Sequence, residues 1–210
     1  MEINFETAVI WLIRIVVILF AITIHEYAHG RAAFYFGDPT AKEAGRLTLN
    51  PLKHLDPVGT IFLFLFYFGW AKPVPFDARY FRNRRRGVIV TALSGPISNL
   101  VTAFIVGLLI RYLEINIYII QAFLLYALLI NIGLGLFNLL PIPPLDGSHV
   151  IESMIPDSLL YKYYRVRRHA PAAFMGFLII DYFFKLHIFS KILRYPLFEI
   201  AELFSGKNFL

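Results

Sequence analysis

Residues 7–36 read TAVIWLIRIVVILFAITIHEYAHGRAAFYF, an apolar run with two histidines and a glutamate in its second half. A bilayer core about 30 Å thick is crossed by about 20 helical residues, so this stretch is long enough for a transmembrane helix. His25, Glu26 and His29 then lie where the chain crosses lipid. Ionisable groups at that depth are costly and usually serve a function. The stretch therefore indicates a membrane protein with polar chemistry inside a span.

The composition agrees with this class. The 210 residues are 58% hydrophobic and their mean hydropathy is +0.64, whereas soluble domains are about 45–50% apolar. The net charge of +6 comes largely from basic loops, which are typical of cytoplasmic loops between spans, so we expect no nucleic-acid partner. The chain has no cysteine, and a metal site would therefore have to use histidine and carboxylate ligands.

Four apolar stretches are candidates for transmembrane helices. They cover residues 7–36, 88–110, 117–140 and about 172–188. A further apolar stretch, residues 58–70, is too short for an ordinary span, and we expect a re-entrant or β-hairpin segment there. The predicted fold is an all-α polytopic membrane protein, a helical bundle of about four transmembrane helices plus this short segment.

Basic residues indicate the orientation of the spans. Basic clusters precede the span at 88–110 and follow the span at 117–140, while the link between these two spans carries few charges. Because basic loops favour the cytoplasm, the first of the two runs outward and the second returns. The first helix of the chain then runs inward, which places His25 and His29 in its cytoplasmic half.

The segment HEYAH, residues 25–29, is the first candidate for chemistry. His25 and His29 lie one turn apart on one helix face, and two imidazoles at this spacing can chelate one zinc ion. Glu26 lies beside that position and can take a proton from the attacking water. A catalytic zinc site also needs a third protein ligand and an open position. The alternative is a polar helix end whose histidines bond backbone or water.

A second segment, FNLLPIPPLDG at residues 137–147, supplies the missing ligand. Its three prolines end the preceding helix, and Asp146 and Gly147 form a turn. The topology places Asp146 at the cytoplasmic end of its helix, at a depth that matches His25 and His29. Such a turn is common by itself, but in the same leaflet as HEYAH it makes Asp146 the best third ligand of a His₂-carboxylate site.

Together the two segments resemble the site-2 protease family of intramembrane zinc metalloproteases, in particular its compact prokaryotic members. The family pairs an HExxH helix with a later N-x-x-P-x-P-x-x-D-G segment. This chain matches that segment at Asn138, Pro141, Pro143, Asp146 and Gly147. The stretches GRLTLNPLKHLDPVGT, GWAKPVPFDARYFRNRRRG and SGPISN are also similar to the family, so the resemblance covers roughly residues 20–150.

The resemblance implies an enzyme that cleaves a peptide bond within or next to a transmembrane segment of another protein. It implies one Zn²⁺ per chain, held by His25, His29 and Asp146. Glu26 would be the general base and then the acid for the leaving amine. The implied partners are a transmembrane protein or peptide substrate and the lipid bilayer.

Two predictions concern how the substrate is held. The oxyanion that forms during cleavage needs hydrogen-bond donors, and the candidates are Asn138 and Asn99. For Asn99, a role in helix packing is equally expected. A helical substrate has to unwind before cleavage, and residues 71–75 could pair with it as an edge strand. The alternative is that residues 58–70 form a hydrophobic loop that only plugs the site.

Several other polar residues are expected to have structural roles. Arg14 is predicted to snorkel to the outer interface, and His54 to serve an interfacial or packing role rather than to contact metal. Asp181 and Lys185, four residues apart, are expected to neutralise each other. His149 is a candidate for supporting a metal ligand from behind.

We expect one integral-membrane domain over residues 1–210, with a catalytic core at about 7–150 and a C-terminal helical region at 151–210. Its location would be a prokaryotic cell membrane, with the active site towards the cytoplasm, and its oligomeric state is left open.

The main alternative is a zinc-binding membrane protein without proteolysis, such as a metal transporter or an inactive relative. Glu26, a base between two ligands, favours hydrolysis. A different HExxH peptidase is a second alternative, against which the Asp146 segment argues.

Overall fold

Helices make up most of the chain. The structure is a computed structural model that describes residues 5–66 and 70–209. The helices in these residues are α1 (Phe5–Tyr35), α2 (Thr40–Glu43), α3 (Pro57–Phe66), α4 (Arg84–Tyr112), α5 (Tyr118–Leu139), α6 (Gly147–Glu152), α7 (Asp157–Arg167), α8 (Ala170–Phe183) and α9 (Ile188–Ser205). Short 3-10 turns lie at Pro51–Lys53 and Ala78–Tyr80. The described part of the chain contains no β-strand, which agrees with the predicted all-α fold.

The helices α1, α4 and α5 are each long and apolar enough to cross a membrane, with 31, 29 and 22 residues. They confirm three of the predicted spans to within a few residues. Small side chains let them pack closely, as is usual where lipid provides no hydrophobic drive for association. Ala122 and Ala127 of α5 pack with Ile13 and Val17 of α1, and Ala103 of α4 is fully buried.

The fourth helix of the bundle is α9, which lies along α4 and α5. Phe204 of α9 covers Gly107, where a Cβ would lie 2.6 Å from the phenylalanine Cβ, and Ala201 is fully buried. The stretch predicted as the fourth span, 172–188, is instead α8, and the chain bends by 88° before α9 begins. Hydropathy alone points to α8 because α9 carries Lys191, Arg194 and Glu199 on its exposed face. The bent pair of α8 and α9 is together apolar enough to count as a fourth, broken span.

The predicted re-entrant stretch begins as a helix, α3. Residues 67–69 of that stretch lie outside the described residues. Leu55 and Ala71, on either side of the stretch, form an antiparallel bridge, and the Lys72 N–H donates to the His54 carbonyl oxygen at 2.9 Å. The two ends therefore meet, as a re-entrant segment requires. As far as it is described, the segment is helical and not a β-hairpin.

An extended segment at residues 71–77, which we call the strap, follows this stretch. The buried Arg46 side chain donates to the carbonyl oxygen of Lys72, and the Asp77 N–H donates to the fully buried Asp38 carboxylate at 2.7 Å. Asp38 lies just beyond the end of α1, so both ends of the strap are held by buried charged groups. The strap forms no strand in the described residues beyond the bridge at Ala71, and pairing with a substrate stays a prediction.

Two polar side chains make contacts that were not predicted. Arg14 donates to the Tyr126 hydroxyl at 2.7 Å and lies 4.7 Å from the centre of that ring, so it joins α1 to α5, and its snorkelling to the outer interface stays a prediction. Asp181 forms no ion pair with Lys185 among the described residues. It accepts instead from the Ile188 N–H at 2.9 Å, which satisfies an unpaired amide at the start of α9.

Candidate metal centre

Three side chains from distant parts of the chain converge on one point. His25 and His29 project from the same face of α1, and Asp146 reaches them from the loop between α5 and α6. The two Nε2 atoms lie 3.0 Å apart, and Asp146 Oδ2 lies 3.0 Å from His25 Nε2 and 3.3 Å from His29 Nε2. Within the described residues this is the one group of three such side chains whose ligand atoms come together.

The spacing of these atoms fits a zinc ion. Ligands about 2.0–2.2 Å from a tetrahedral zinc lie about 3.3 Å from one another. The three observed separations, 3.0, 3.0 and 3.3 Å, are close to that value. Two imidazole nitrogens and one carboxylate oxygen are also a donor set that catalytic zinc sites use.

Hydrogen bonds behind the two rings decide which nitrogen atoms face the centre. His25 Nδ1 lies 2.6 Å from Asn99 Oδ1, and His29 Nδ1 lies 2.6 Å from the Thr91 carbonyl oxygen. Both partners are acceptors, so each Nδ1 carries the proton and each Nε2 turns a lone pair inward. Three lone pairs therefore converge with no hydrogen between them, an arrangement that requires a cation or an added proton.

The loop that carries Asp146 doubles back tightly on the end of α5. A Cβ at Gly147 would lie 2.3 Å from the Leu139 carbonyl oxygen, so only glycine allows this approach. Burial by itself would raise the pKa of the Asp146 carboxyl. In the metal-free centre, where the rings carry an added proton, hydrogen bonds and positive charge from His25 and His29 outweigh burial and hold the pKa of the Asp146 carboxyl well below its usual range. The carboxyl is therefore in the anionic form that binds a cation.

Glu26 lies beside this group without being part of it. Its side chain is buried, and one carboxylate oxygen accepts a hydrogen bond from the Val74 N–H of the strap at 2.8 Å. Pro73 and Pro75 have no N–H, so Val74 has the only amide hydrogen in this part of the strap. The strap therefore orients the carboxylate that follows His25 in sequence.

Gly95 of α4 is a site residue that the sequence analysis missed. A Cβ built on it would lie 2.4 Å from His29 Nε2 and 2.7 Å from His25 Nε2. The bare glycine thus leaves open the space next to the ligand atoms. The stretch SGPISN, which contains Gly95, is similar to the family, but that similarity by itself gives Gly95 no role. Glycine followed by Pro96 in the middle of a predicted span was the available signal, since both residues are unfavourable in helix interiors.

Asn99 does not have the donor role predicted for it. It is fully buried, its Oδ1 accepts from His25, and its amide nitrogen donates to the Ala21 carbonyl oxygen at 3.0 Å and to Asn131 Oδ1 at 2.9 Å. Neither amide hydrogen is left for an oxyanion. Asn99 positions His25 and joins α1, α4 and α5. It therefore has the helix-packing role that was predicted as the alternative.

The remaining polar candidates lie apart from the three ligand atoms. Asn138 donates to the carbonyl oxygen of Leu134 in its own helix at 3.0 Å, and its role as an oxyanion donor stays a prediction. His149 Nδ1 lies 3.4 Å from the Glu152 carboxylate, which also pairs with Arg167. His149 therefore contacts Glu152 and not, as predicted, a metal ligand. His54 is fully buried against a loop carbonyl oxygen, consistent with packing.

A cleft of about 780 Å³ lies next to the strap. Val74 and Phe76 of the strap form one wall, and His149, Glu152 and Arg167 contribute to another. Val74 therefore touches both the cleft and Glu26, and both charged and apolar side chains line the cleft.

Comparison with known proteins identifies the family of the chain. A model described as Peptidase family M50 matches residues 112–180, which include Asp146 but not the histidines of α1. The Bacillus subtilis protein named "Putative zinc metalloprotease YwhC" is 42% identical over 156 residues, covering 70% of this chain and 71% of its own length. The proteins named Rip2, also with that zinc metalloprotease designation, are 30% identical in Mycolicibacterium smegmatis and Mycobacterium tuberculosis.

The alignments with the Rip2 proteins cover 77% and 64% of this chain. They cover 62% and 54% of the mycobacterial proteins, so the chain spans less than two thirds of their length. No solved structure matches the chain.

Proposed function

Because the chain belongs to peptidase family M50, the site-2 proteases, we propose that it is an intramembrane zinc metalloprotease. Its reaction would be hydrolysis of peptide bonds within or next to transmembrane segments of membrane-protein substrates. The observation that carries this proposal is the convergence of three ligand atoms beside a buried, non-ligating carboxylate in a bundle of membrane-spanning helices. His25, His29 and Asp146 would hold one Zn²⁺ per chain.

The roles of the side chains follow from their positions. When bound, a zinc ion supplies Lewis acidity that acidifies water and polarises the scissile carbonyl group. Glu26 takes the proton of the attacking water, since it directly follows the ligand His25 in α1 and its buried carboxylate is held by the Val74 N–H. Glu26 then returns the proton to the leaving amine nitrogen. Asn138 remains the candidate donor to the oxyanion.

Substrate and water would approach from different directions. A transmembrane substrate comes laterally through the bilayer, whereas the mixed polar cleft next to the strap supports water entry from outside the lipid. Arg84 and Arg85 line that cleft at the start of α4. By the basic-loop rule this supports a cytoplasmic position for the cleft and for the active site. The bacterial relatives support a prokaryotic cell membrane as the location.

Removal of the metal tests the proposal directly. Wild-type protein in lipid should contain one zinc per chain and cleave a model transmembrane peptide. A zinc chelator should abolish cleavage and added zinc should restore it. Asp146→Ala should bind zinc much more weakly, whereas Glu114→Ala, at an exposed loop carboxylate, should not. Elemental analysis gives the zinc content, and mass spectrometry of the products gives the cleaved bond.

Two outcomes would contradict the proposal in different ways. Cleavage that persists after complete zinc removal would exclude a zinc mechanism. Stoichiometric zinc without cleavage of any transmembrane substrate would favour the alternative, a zinc-binding membrane protein such as a transporter or an inactive relative.

Val74→Pro should lower the cleavage rate about 10- to 100-fold without loss of zinc. The substitution removes the amide hydrogen that holds Glu26, and a hydrogen bond to a charged group contributes about 1.5–3 kcal/mol. Val74→Ala keeps that hydrogen and is the matched control. Initial rates and zinc content of both variants measure the effect, and an unimpaired Val74→Pro enzyme would show that the strap does not orient the base. Val74→Pro does not test strand pairing with the substrate separately, because the substitution also removes the hydrogen bond to Glu26.

A further inference from the structure

A line of buried hydrogen bonds runs from His25 across all three long helices. His25 Nδ1 of α1 bonds Asn99 Oδ1 of α4 at 2.6 Å, and Asn99 Nδ2 donates to Asn131 Oδ1 of α5 at 2.9 Å. Asn131 Nδ2 then donates to the Ala127 carbonyl oxygen at 2.8 Å, and Asn99 Nδ2 also donates to the Ala21 carbonyl oxygen at 3.0 Å. Both asparagines are 0% exposed.

Two backbone carbonyl groups give this line a direction. A carbonyl oxygen only accepts, so the NH₂ group of Asn131 must face Ala127 and its oxygen must face Asn99. By the same reasoning, the NH₂ group of Asn99 faces Ala21 and Asn131, and its oxygen faces His25. An oxygen beside His25 Nδ1 requires a proton on that nitrogen, which leaves the Nε2 lone pair free for a cation.

The second ligand, His29, is held differently. Its Nδ1 bonds the backbone oxygen of Thr91, which cannot turn over and present a donor. A side-chain amide can rotate by 180° and exchange its oxygen for NH₂. The orientation of the Asn99 amide therefore has to be fixed by a further hydrogen bond, which the Thr91 carbonyl group does not need. Asn131 lies in position to provide that bond.

We propose that Asn131 is a positioning residue of the metal centre, acting through Asn99 on the tautomer of His25. Without the Asn131 oxygen, one buried N–H of Asn99 has no partner and the orientation that presents its oxygen to His25 loses support. In the reversed orientation NH₂ faces His25 Nδ1, which must then accept. The ring proton moves to Nε2 and occupies the position of the metal. The inference rests on the proposed zinc site.

The test uses three variants of neighbouring residues in α5. Asn131→Leu keeps the size of the side chain but removes its polar atoms. Asn131→Asp is the conservative variant, since a buried carboxyl group is neutral and can accept from Asn99 and donate to the Ala127 oxygen. Ile132→Val disturbs an equally buried position that takes no part in the line. Zinc affinity is measured by competition with a chelator.

A second measurement reads the tautomer itself. Nitrogen-15 NMR of histidine-labelled, metal-free protein distinguishes Nδ1–H from Nε2–H rings, at a pH at which both ligand rings are neutral. His29 is the internal reference, because its partner is a backbone oxygen. Asn131→Leu should bind zinc about 10-fold more weakly, the lower end of the range for partners behind metal ligands, because Ala21 still holds Asn99. His25, and not His29, should show the Nε2–H form.

The outcomes separate this inference from the proposed function. Restoration of both properties in Asn131→Asp, with Ile132→Val unaffected, supports a positioning role. Equal loss of affinity in Asn131→Leu and Ile132→Val, with His25 still protonated at Nδ1, would overturn it and leave Asn131 a packing residue. A wild-type protein that binds no zinc would defeat the proposed function, yet the tautomer of His25 would still decide whether Asn131 acts on it.

Discussion

Glu26→Gln should lower cleavage of a transmembrane substrate about 10²- to 10⁴-fold and leave the zinc content unchanged. That range is the usual contribution of a positioned general acid–base group. Glutamine has the size of glutamate, and its oxygen can still accept from the Val74 N–H, so the local packing is retained. It cannot take a proton from the attacking water. Because Glu26 is not one of the three converging ligands, the metal should stay bound.

The measurement is kcat on a model transmembrane peptide in lipid, together with zinc content of the same preparation. Glu43→Gln, at an exposed position of α2, is the matched control and should behave as wild type. Normal cleavage by Glu26→Gln would show that the proposed hydrolytic mechanism is wrong. Loss of zinc along with activity would assign Glu26 to the metal rather than to the proton.

Gly95→Ala should abolish zinc binding although the change is a single methyl group. The added Cβ would lie 2.4 Å from His29 Nε2 and 2.7 Å from His25 Nε2, well inside contact distance. The rings cannot simply retreat, because each Nδ1 is held at 2.6 Å by an oxygen behind it. One or both rings must therefore leave the arrangement in which the ligand atoms meet.

Helix propensity favours the alanine variant, so a loss of zinc binding could not be attributed to a weaker helix. Alanine is favoured over glycine in a helix interior by about 1 kcal/mol, so α4 itself should not be weakened. Gly133→Ala in α5 is the control, since a Cβ there meets only a leucine methyl group at 3.5 Å. Zinc titration and thermal unfolding of both variants are the measurements. A Gly95→Ala protein that binds zinc with wild-type affinity would place the metal elsewhere.

Much of the fold could be predicted because its signals are local. Apolar length predicts the helices α1, α4 and α5, since each has to match the bilayer by itself. The same criterion points to 172–188, which is α8, whereas the helix that packs on α4 and α5 is α9. Helix α9 buries one face against α4 and α5 through complementary shapes, such as Phe204 over Gly107. Charged residues on its other face lower its mean hydropathy, so hydropathy does not reveal this packing.

The chemical groups of the centre can be predicted from the sequence: two histidines one turn apart, a carboxylate between them, and Asp146 in the proline-rich loop that follows α5. These are properties of spacing and residue type along the chain. The surroundings of those groups become visible only when the helices are packed together. The Val74 amide bonds Glu26 across 48 residues of sequence, and Asn99 bonds His25 across 74. Gly95 meets the two imidazole rings from another helix. Such contacts depend on how the helices pack, and no periodicity within a single segment encodes them.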